Sequence, residues 1–221
     1  ERNGIKGFEL DPNNGRIYMG VDFGGSAPFG MSYIQVLDHE IEVLNNSNVP
    51  IRIPVGTKIM FDEIQKGDIG NEQASEEIKR LEKEYQLKNP DFNVFMRFGD
   101  KASSAARKDF ARWGLPTSWP AVTRDREEHY KRTKEYINND EFKFVIGKCD
   151  NFVEQLSVWN VTIVGKKSFD HVVDATLYCL SNIYAIEQNG IRKKDVPVAN
   201  KRRYNSRHGN PFHDTIGIRE N

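Results

Sequence analysis

The sequence predicts an α/β fold: a mixed β-sheet, with three antiparallel strands followed by parallel strands, and helices on both faces. Three strand-like segments rich in β-branched and aromatic residues open the chain. Helix-like segments then alternate with shorter strand-like ones, and a long apolar helix over about 171–188 is the last strong pattern. Strands that alternate with helices in this way favour a layered α/β architecture.

Composition narrows the class of protein. The chain has 221 residues, 29% of them charged and 38% hydrophobic, with a formal net charge of zero. That length suits one elaborated domain, and the charge balance gives no overall nucleic-acid signal. The two cysteines, Cys149 and Cys179, lack CxxC spacing, which argues against a disulfide framework and a zinc site. No run of 18 apolar residues occurs, so no membrane contact is expected.

The first part of the chain reads as a three-stranded meander. Residues 1–15 are polar and predict a linker or an arm leading into the domain, and the missing initiator Met suggests a piece of a larger protein. We expect strands over 16–23, 31–44 and 57–64, with a polar, proline-containing loop over 45–56.

The remaining elements complete the predicted domain, 16–190. Apolar spacing predicts helices over 71–87, 103–113, 125–139 and 149–159, strands over 93–98, 119–122 and 142–146, and a hairpin over 161–167. The segment 191–221 holds eight Lys or Arg against three Asp or Glu and is expected to be a basic, flexible tail.

Acidic residues and a histidine stand at the ends of three of the predicted elements. Asp22 ends the first strand, and Asp100 follows the strand over 93–98. His171 and Asp174 share one face of the first turn of the last helix. Asp170 or Ser168 is the expected cap of that turn. If the two strands are neighbours, both aspartates emerge at one end of the sheet. Separately, Asp22 before two glycines can be a turn former, and Asp100 can be a helix cap.

Carboxylates that lie together repel one another unless cations hold them. Mg²⁺ and Mn²⁺ prefer such oxygen ligands, and two ions about 3.5–4 Å apart can activate a water and stabilise the leaving oxygen of a phosphodiester. His171 can act there as a ligand, an orienting group or a proton shuttle.

Three motifs carry a resemblance to a known family. They are Gly20-Val21-Asp22-Phe23-Gly24, Phe98-Gly99-Asp100 and Asp170-His171-Val172-Val173-Asp174-Ala175. In this order and spacing they resemble the nuclease domain of the large terminase subunit of tailed bacteriophages, which has a ribonuclease H-like fold. The resemblance extends over about 16–187, and the last motif is the most specific.

The resemblance implies a metal-dependent endonuclease that cuts concatemeric phage DNA during genome packaging by two-metal phosphodiester hydrolysis, with little sequence preference. It implies that Asp22, Asp100 and Asp174 hold two Mg²⁺ or Mn²⁺ ions, and that His171 is a further catalytic and metal-binding residue. Expected partners are double-stranded DNA, the portal protein, the small terminase subunit and an ATPase domain of the same full-length protein. The expected location is the host cell cytoplasm, and not the mature virion.

The sequence departs in one respect from other ribonuclease H-like enzymes and in another from the complete packaging motor. Many ribonuclease H-like enzymes carry a fourth acid, but Glu72, Glu76 and Glu77 match no motif here, and Asp62, Glu63 and Asp170 stay open as assisting groups. The chain also lacks a GxxxxGK[ST] loop, so no packaging ATPase is expected within it.

DNA contacts are expected from basic residues beside the acidic cleft, since phosphate neutralisation dominates non-specific affinity. The predicted set is Lys101, Arg107, Arg124, Arg126, Lys166 and Lys167.

Three alternatives stay open. Asp22-Phe23-Gly24-Gly25-Ser26 also resembles the first phosphate loop of actin- or hexokinase-like phosphotransferases. Another ribonuclease H-like nuclease, of the resolvase or transposase kind, fits the same motifs. A packaging adaptor that keeps the fold without chemistry is the third.

Overall fold

The structure, a computed structural model, describes residues 3–23, 28–67, 69–99, 104–118, 126–158 and 170–189. Within these ranges the strands are β1 Gly4–Lys6, β2 Arg16–Asp22, β3 Phe29–Val36, β4 Ile41–Asn45, β5 Pro50–Ile53, β6 Lys58–Lys66, β7 Val94–Gly99 and β8 Phe142–Val145. The helices are α1 Asn71–Lys88, α2 Ser104–Arg112, α3 Arg126–Asn138, α4 Asp150–Val158 and α5 His171–Asn189.

All the strands join one mixed sheet, in the order β5-β4-β1-β8-β6-β3-β2-β7. β2 and β6 both pair antiparallel with β3, and β7 pairs parallel with β2. Beyond β7, Ser118 forms a parallel bridge with Phe98, at the start of the predicted strand over 119–122, which lies outside the described residues. The predicted fold class is confirmed, including the antiparallel trio and the parallel neighbours β2 and β7.

The sequence predicted the segment 31–56 wrongly. The single strand expected over 31–44 is two strands, β3 and β4, because the chain turns after Leu37, whose carbonyl accepts from the Gly56 N–H at 2.8 Å. The loop expected over 45–56 contains β5, which pairs antiparallel with β4. Proline misled the prediction, since Pro50 lies on an edge strand, where its missing N–H is tolerated.

The segment for which a linker or leading arm is predicted contributes a strand. β1 pairs parallel with β8 and antiparallel with β4, and Ile5 is fully buried. The side chain of Asn3 donates to the Phe142 carbonyl at 2.8 Å, which ties the start of this segment to β8.

Two apolar layers cover the sheet, one on each face. α1 and α2 bury Ala74, Ile78, Ala106 and Phe110 in the first layer. α3, α4 and α5 form the second, in which α5 is buried on nearly every side because it lies directly over the central strands. No helix in the described ranges is both long and apolar enough to cross a membrane.

Two glycines let α5 approach the sheet very closely. A Cβ built on Gly20 of β2 would lie 1.9 Å from the Ala175 carbonyl oxygen. A Cβ built on Gly30 of β3 would lie 2.4 Å from the carbonyl carbon and oxygen of His171. Real Cβ atoms do not approach backbone so closely, so any larger residue at either position must push the first two turns of α5 away from the strands.

We therefore expect Gly20→Ala and Gly30→Ala to lower the free energy of unfolding by about 1–3 kcal/mol or more, as overpacking of a close-packed core does. Gly67→Ala is the matched control, because nothing lies within 4 Å of its added Cβ, and its effect should stay within about 0.5 kcal/mol. Urea unfolding of the three variants measures the difference. Equal stability of all three would contradict the close packing.

Candidate functional site

The site begins where two parallel strands end. Val21 of β2 is paired with Gly99, the last residue of β7, and Asp22 is the last residue of β2. Strand alternation places Asp22 on the same face as Gly20, which is the face covered by α5. Asp100, the residue after Gly99, lies outside the described residues, so its place beside Asp22 stays a prediction.

The first turn of α5 supplies the second part of the site. His171 is the first residue of the helix, and Asp174 follows one turn later. Both residues are buried, with 9% of their surface exposed. The Asp174 N–H donates to the Asp170 carbonyl at 2.8 Å, so this turn is regularly hydrogen-bonded.

The structure brings Asp22 and His171 into direct contact. The imidazole Nδ1 lies 2.7 Å from Asp22 Oδ2, across 149 residues of sequence. The hydrogen bond to Asp22 raises the pKa of His171 above its ordinary value. Burial acts in the opposite direction, and the charges of Asp22, Asp170 and Asp174 add to the rise.

The first turn of α5 has an acceptor that the sequence did not predict. The side-chain acceptor for its first turn is Gln155 of α4, whose Oε1 accepts from Val172 N–H at 3.0 Å and from Val173 N–H at 3.1 Å. Asp170 takes part through its backbone carbonyl, and Ser168 lies outside the described residues. Sequence reasoning missed Gln155, although a glutamine three residues after Phe152 on the buried stripe of a helix is a signal.

The two acids of β6 are engaged in structural contacts. Asp62 Oδ2 accepts from the Tyr85 hydroxyl at 2.5 Å, on the α1 side of the sheet. Glu63 caps α4, accepting from the backbone N–H groups of Asn151 at 2.6 Å and Phe152 at 3.0 Å, and burial raises its pKa. Both acids therefore hold helices against the sheet.

The described side chains do not form a complete metal centre. Within the described ranges, no group of three or more His, Cys, Asp or Glu side chains is arranged to hold a metal ion. The donor types do fit Mg²⁺ or Mn²⁺, since Asp22 and Asp174 offer carboxylate oxygens and His171 an imidazole nitrogen beside the end of β7. Asp100, which the sequence resemblance predicts as a further ligand, lies outside the described residues.

Most of the predicted DNA-binding residues fall outside the described part of the chain. Lys101, Arg124, Lys166 and Lys167 belong to this group, as does the side chain of Arg126, which begins α3. Arg107 lies on α2 and is partly exposed, and burial lowers its pKa.

Known structures share this architecture. The large terminase of a thermophilic bacteriophage superposes with a TM-score of 0.61 at 11% identity, over 83% of this chain and 42% of that one. The nuclease domain of the bacteriophage P22 large terminase gives a TM-score of 0.55 at 16% identity, over 79% and 84% of the two chains. The corresponding nuclease domain of bacteriophage SPP1, solved with bound Mn, gives 0.52 at 13% identity, over 85% and 97%.

The chain has the ribonuclease H-like fold of terminase nuclease domains. The resemblance carried by the three sequence motifs is confirmed at the level of the fold. No protein-family model matches the sequence, and no curated protein matches it. The chain spans less than half the length of the thermophilic phage's large terminase.

The Asp22–His171 contact predicts a pH-dependent stability of the metal-free protein. Because the pKa of His171 is higher in the folded than in the unfolded state, the contact stabilises the fold fully below the ordinary value of 6.5 and less as the pH rises through the folded pKa. The difference in unfolding free energy between wild type and His171→Gln should therefore shrink from about pH 5 to pH 9. Urea unfolding with EDTA measures it.

Asp22→Asn provides the control for this measurement, because it removes the carboxylate that raises the pKa of His171. In an Asp22→Asn background, His171→Gln should produce a much flatter pH dependence. A wild-type difference that grows with rising pH would contradict the assignment.

Proposed function

We propose that the chain is a metal-dependent endonuclease that cuts double-stranded DNA by two-metal phosphodiester hydrolysis. The observation that carries the proposal is the contact between Asp22, at the end of β2, and His171, at the start of α5, with Asp174 in the same helical turn. The end of β7 lies directly beside them, and Asp100 is the next residue in the chain. The site thus gathers acidic and imidazole donors from the centre of the fold.

The fold supports this reading. The SPP1 nuclease domain, which superposes over 85% of this chain, was solved with bound Mn. Two Mg²⁺ or Mn²⁺ ions are the cofactors we propose for this chain as well. Cleavage of concatemeric phage DNA in the host cell cytoplasm, as part of genome packaging, is the role we propose.

We propose further partners on the basis of the sequence resemblance. One observation supports them: this chain spans less than half the length of the thermophilic phage's large terminase. The full-length protein would add a packaging ATPase domain. The portal protein and the small terminase subunit would be its partners in the intact motor.

In the proposed mechanism, the carboxylates of Asp22, Asp100 and Asp174 would hold the ions. The bound ions would activate a water and stabilise the leaving oxygen of the phosphodiester. His171 Nδ1 is held by Asp22, which orients the ring and favours a proton on that nitrogen. The first two turns of α5 pack directly against Gly20 of β2 and Gly30 of β3, so the helix covers this side of the site.

Lys101, Arg107, Arg124, Arg126, Lys166 and Lys167 are proposed to contact DNA phosphates. Contacts of this kind carry no base information, so cleavage is expected to have little sequence preference and to weaken at high salt.

Plasmid digestion with Mn²⁺, Mg²⁺ or EDTA tests the proposal. Wild type should nick and linearise the plasmid with either metal and not with EDTA. Asp22→Asn, Asp100→Asn and Asp174→Asn should each abolish cleavage, because a neutral amide cannot balance the charge of the ions. His171→Ala should reduce the rate by less.

Asp140→Asn is the matched control, since Asp140 pairs with Lys143 at the opposite end of the sheet and has the positive φ that asparagine tolerates. It should cut at the wild-type rate. Absence of cleavage by the folded wild type with either metal would overturn the proposal, and ATP binding or DNA binding without cleavage would then favour a phosphotransferase or an adaptor. Wild-type cleavage by any one of the three Asp→Asn variants would remove that residue from the site.

A further inference from the structure

Gln155 is a buried polar residue in a layer that is otherwise largely apolar. It lies on α4 with 4% of its surface exposed, between Phe152 and Leu156 on the side of the helix that faces α5. Its Oε1 accepts from two consecutive backbone N–H groups, those of Val172 and Val173. These two residues directly follow His171 in the chain.

The N–H groups of a helix's first turn have no acceptor within the helix. The residue just before the helix commonly supplies a side-chain acceptor. In α5, two of these N–H groups have an acceptor on another helix, 17 residues earlier in the chain. The start of α5 is therefore fixed relative to α4, and not only by its own local sequence.

Gln155 is itself held by the sheet. Its amide nitrogen donates to Gln65 Oε1 on β6. Two residues earlier on the same strand, Glu63 caps α4 through Asn151 and Phe152. A continuous series of hydrogen bonds therefore runs from β6 through α4 to the first turn of α5, and β6 pairs with β3, the strand beneath His171.

We propose that Gln155 is a positioning residue for the endonuclease, one that sets the first turn of α5 and so the places of His171 and Asp174 relative to Asp22. This inference rests on the proposed function. Gln155 acts through the backbone N–H groups of Val172 and Val173, which lie between His171 and Asp174 in the chain.

The proposal predicts a loss of metal affinity beyond any loss of stability. Replacing Gln155 by Leu keeps the size of the side chain and removes its acceptor. The Mn²⁺ concentration for half-maximal cleavage should then rise by about 10–100-fold, the range typical when a group that orients metal ligands is lost. The rate at saturating Mn²⁺ should fall by less, since the ligands themselves remain.

Gln155→Glu is the conservative variant. Its carboxylate can accept from both N–H groups, and a negative charge is favourable at a helix N-terminus. Gln65 can rotate its amide to donate to it. Gln155→Glu should therefore bind Mn²⁺ at least as well as wild type.

Lys58→Met is the matched control for a general loosening of α5. Lys58 is buried and forms an ion pair with Glu187 at 2.8 Å, near the opposite end of the same helix. Its loss should lower stability while leaving the Mn²⁺ requirement unchanged. Gln65→Leu, which removes only the support of Gln155, should raise that requirement in the same direction as Gln155→Leu but less, and it serves if Gln155→Leu does not fold.

Three measurements on the full chain decide the matter. Amide hydrogen exchange without metal should accelerate at Val172 and Val173 in Gln155→Leu and not in Gln155→Glu or Lys58→Met. Mn²⁺ titration followed by the rise in Tm should show weaker binding only in Gln155→Leu and, to a lesser degree, Gln65→Leu. Plasmid cleavage at varied Mn²⁺ should give the same ranking.

The inference is overturned if the wild type cuts DNA and binds Mn²⁺ while Gln155→Leu needs no more Mn²⁺ than Lys58→Met does. That result leaves the proposed function standing. A wild type that neither cuts nor binds Mn²⁺ removes the proposed function itself, and the positioning role with it.

Discussion

The close contact between α5 and the sheet is the constraint on which the rest of the structure depends. Gly20 and Gly30 lie on adjacent antiparallel strands, and at both positions the backbone of α5 occupies the space that a side chain would need. Only this approach lets the first turn of a buried helix reach the side chain at the end of β2. The Asp22–His171 contact at 2.7 Å is the consequence.

Polar interactions then fix the helix along its length. At its start, Gln155 and the Asp170 carbonyl accept from its first N–H groups. Near its end, Glu187 pairs with Lys58 and accepts from the Tyr136 hydroxyl at 2.7 Å. A helix that is apolar on nearly every side has little else to fix its position along the sheet, and the contacts at its start define where His171 and Asp174 lie.

Much of this architecture could be predicted from the sequence, for a physical reason. The apolar periodicity of α1 and α5 is strong enough to predict both helices. Asp22, His171 and Asp174 stand at the ends of their elements, where side chains from different elements can meet in one site. The break between β3 and β4 was missed because the turn is stabilised by distant groups, Gly56 and Asn14, that local propensity does not register. β5 was missed because Pro50 marks a loop in most contexts but not on a sheet edge.

The contact of Gln155 with the first turn of α5 was missed for a related reason. Gln155 acts through tertiary structure, and its partners Val172 and Val173 are distinguished only by their backbone. Asp62 and Glu63 illustrate the converse. Both acids stand near the end of the strand predicted over 57–64, yet they lie within β6, where Asp62 accepts from Tyr85 and Glu63 caps α4. A residue type at an element end indicates a site only when the fold leaves its oxygens directed toward the other ligands.

The end of β2 and the first turn of α5 together form the proposed divalent metal site. The most direct test is the anomalous difference map of a crystal of the full chain grown with Mn²⁺. We predict peaks within coordination distance of Asp22 and Asp174, with Asp100 completing the site. Manganese bound only elsewhere on a well-ordered protein, or no peak at saturating Mn²⁺, would contradict it.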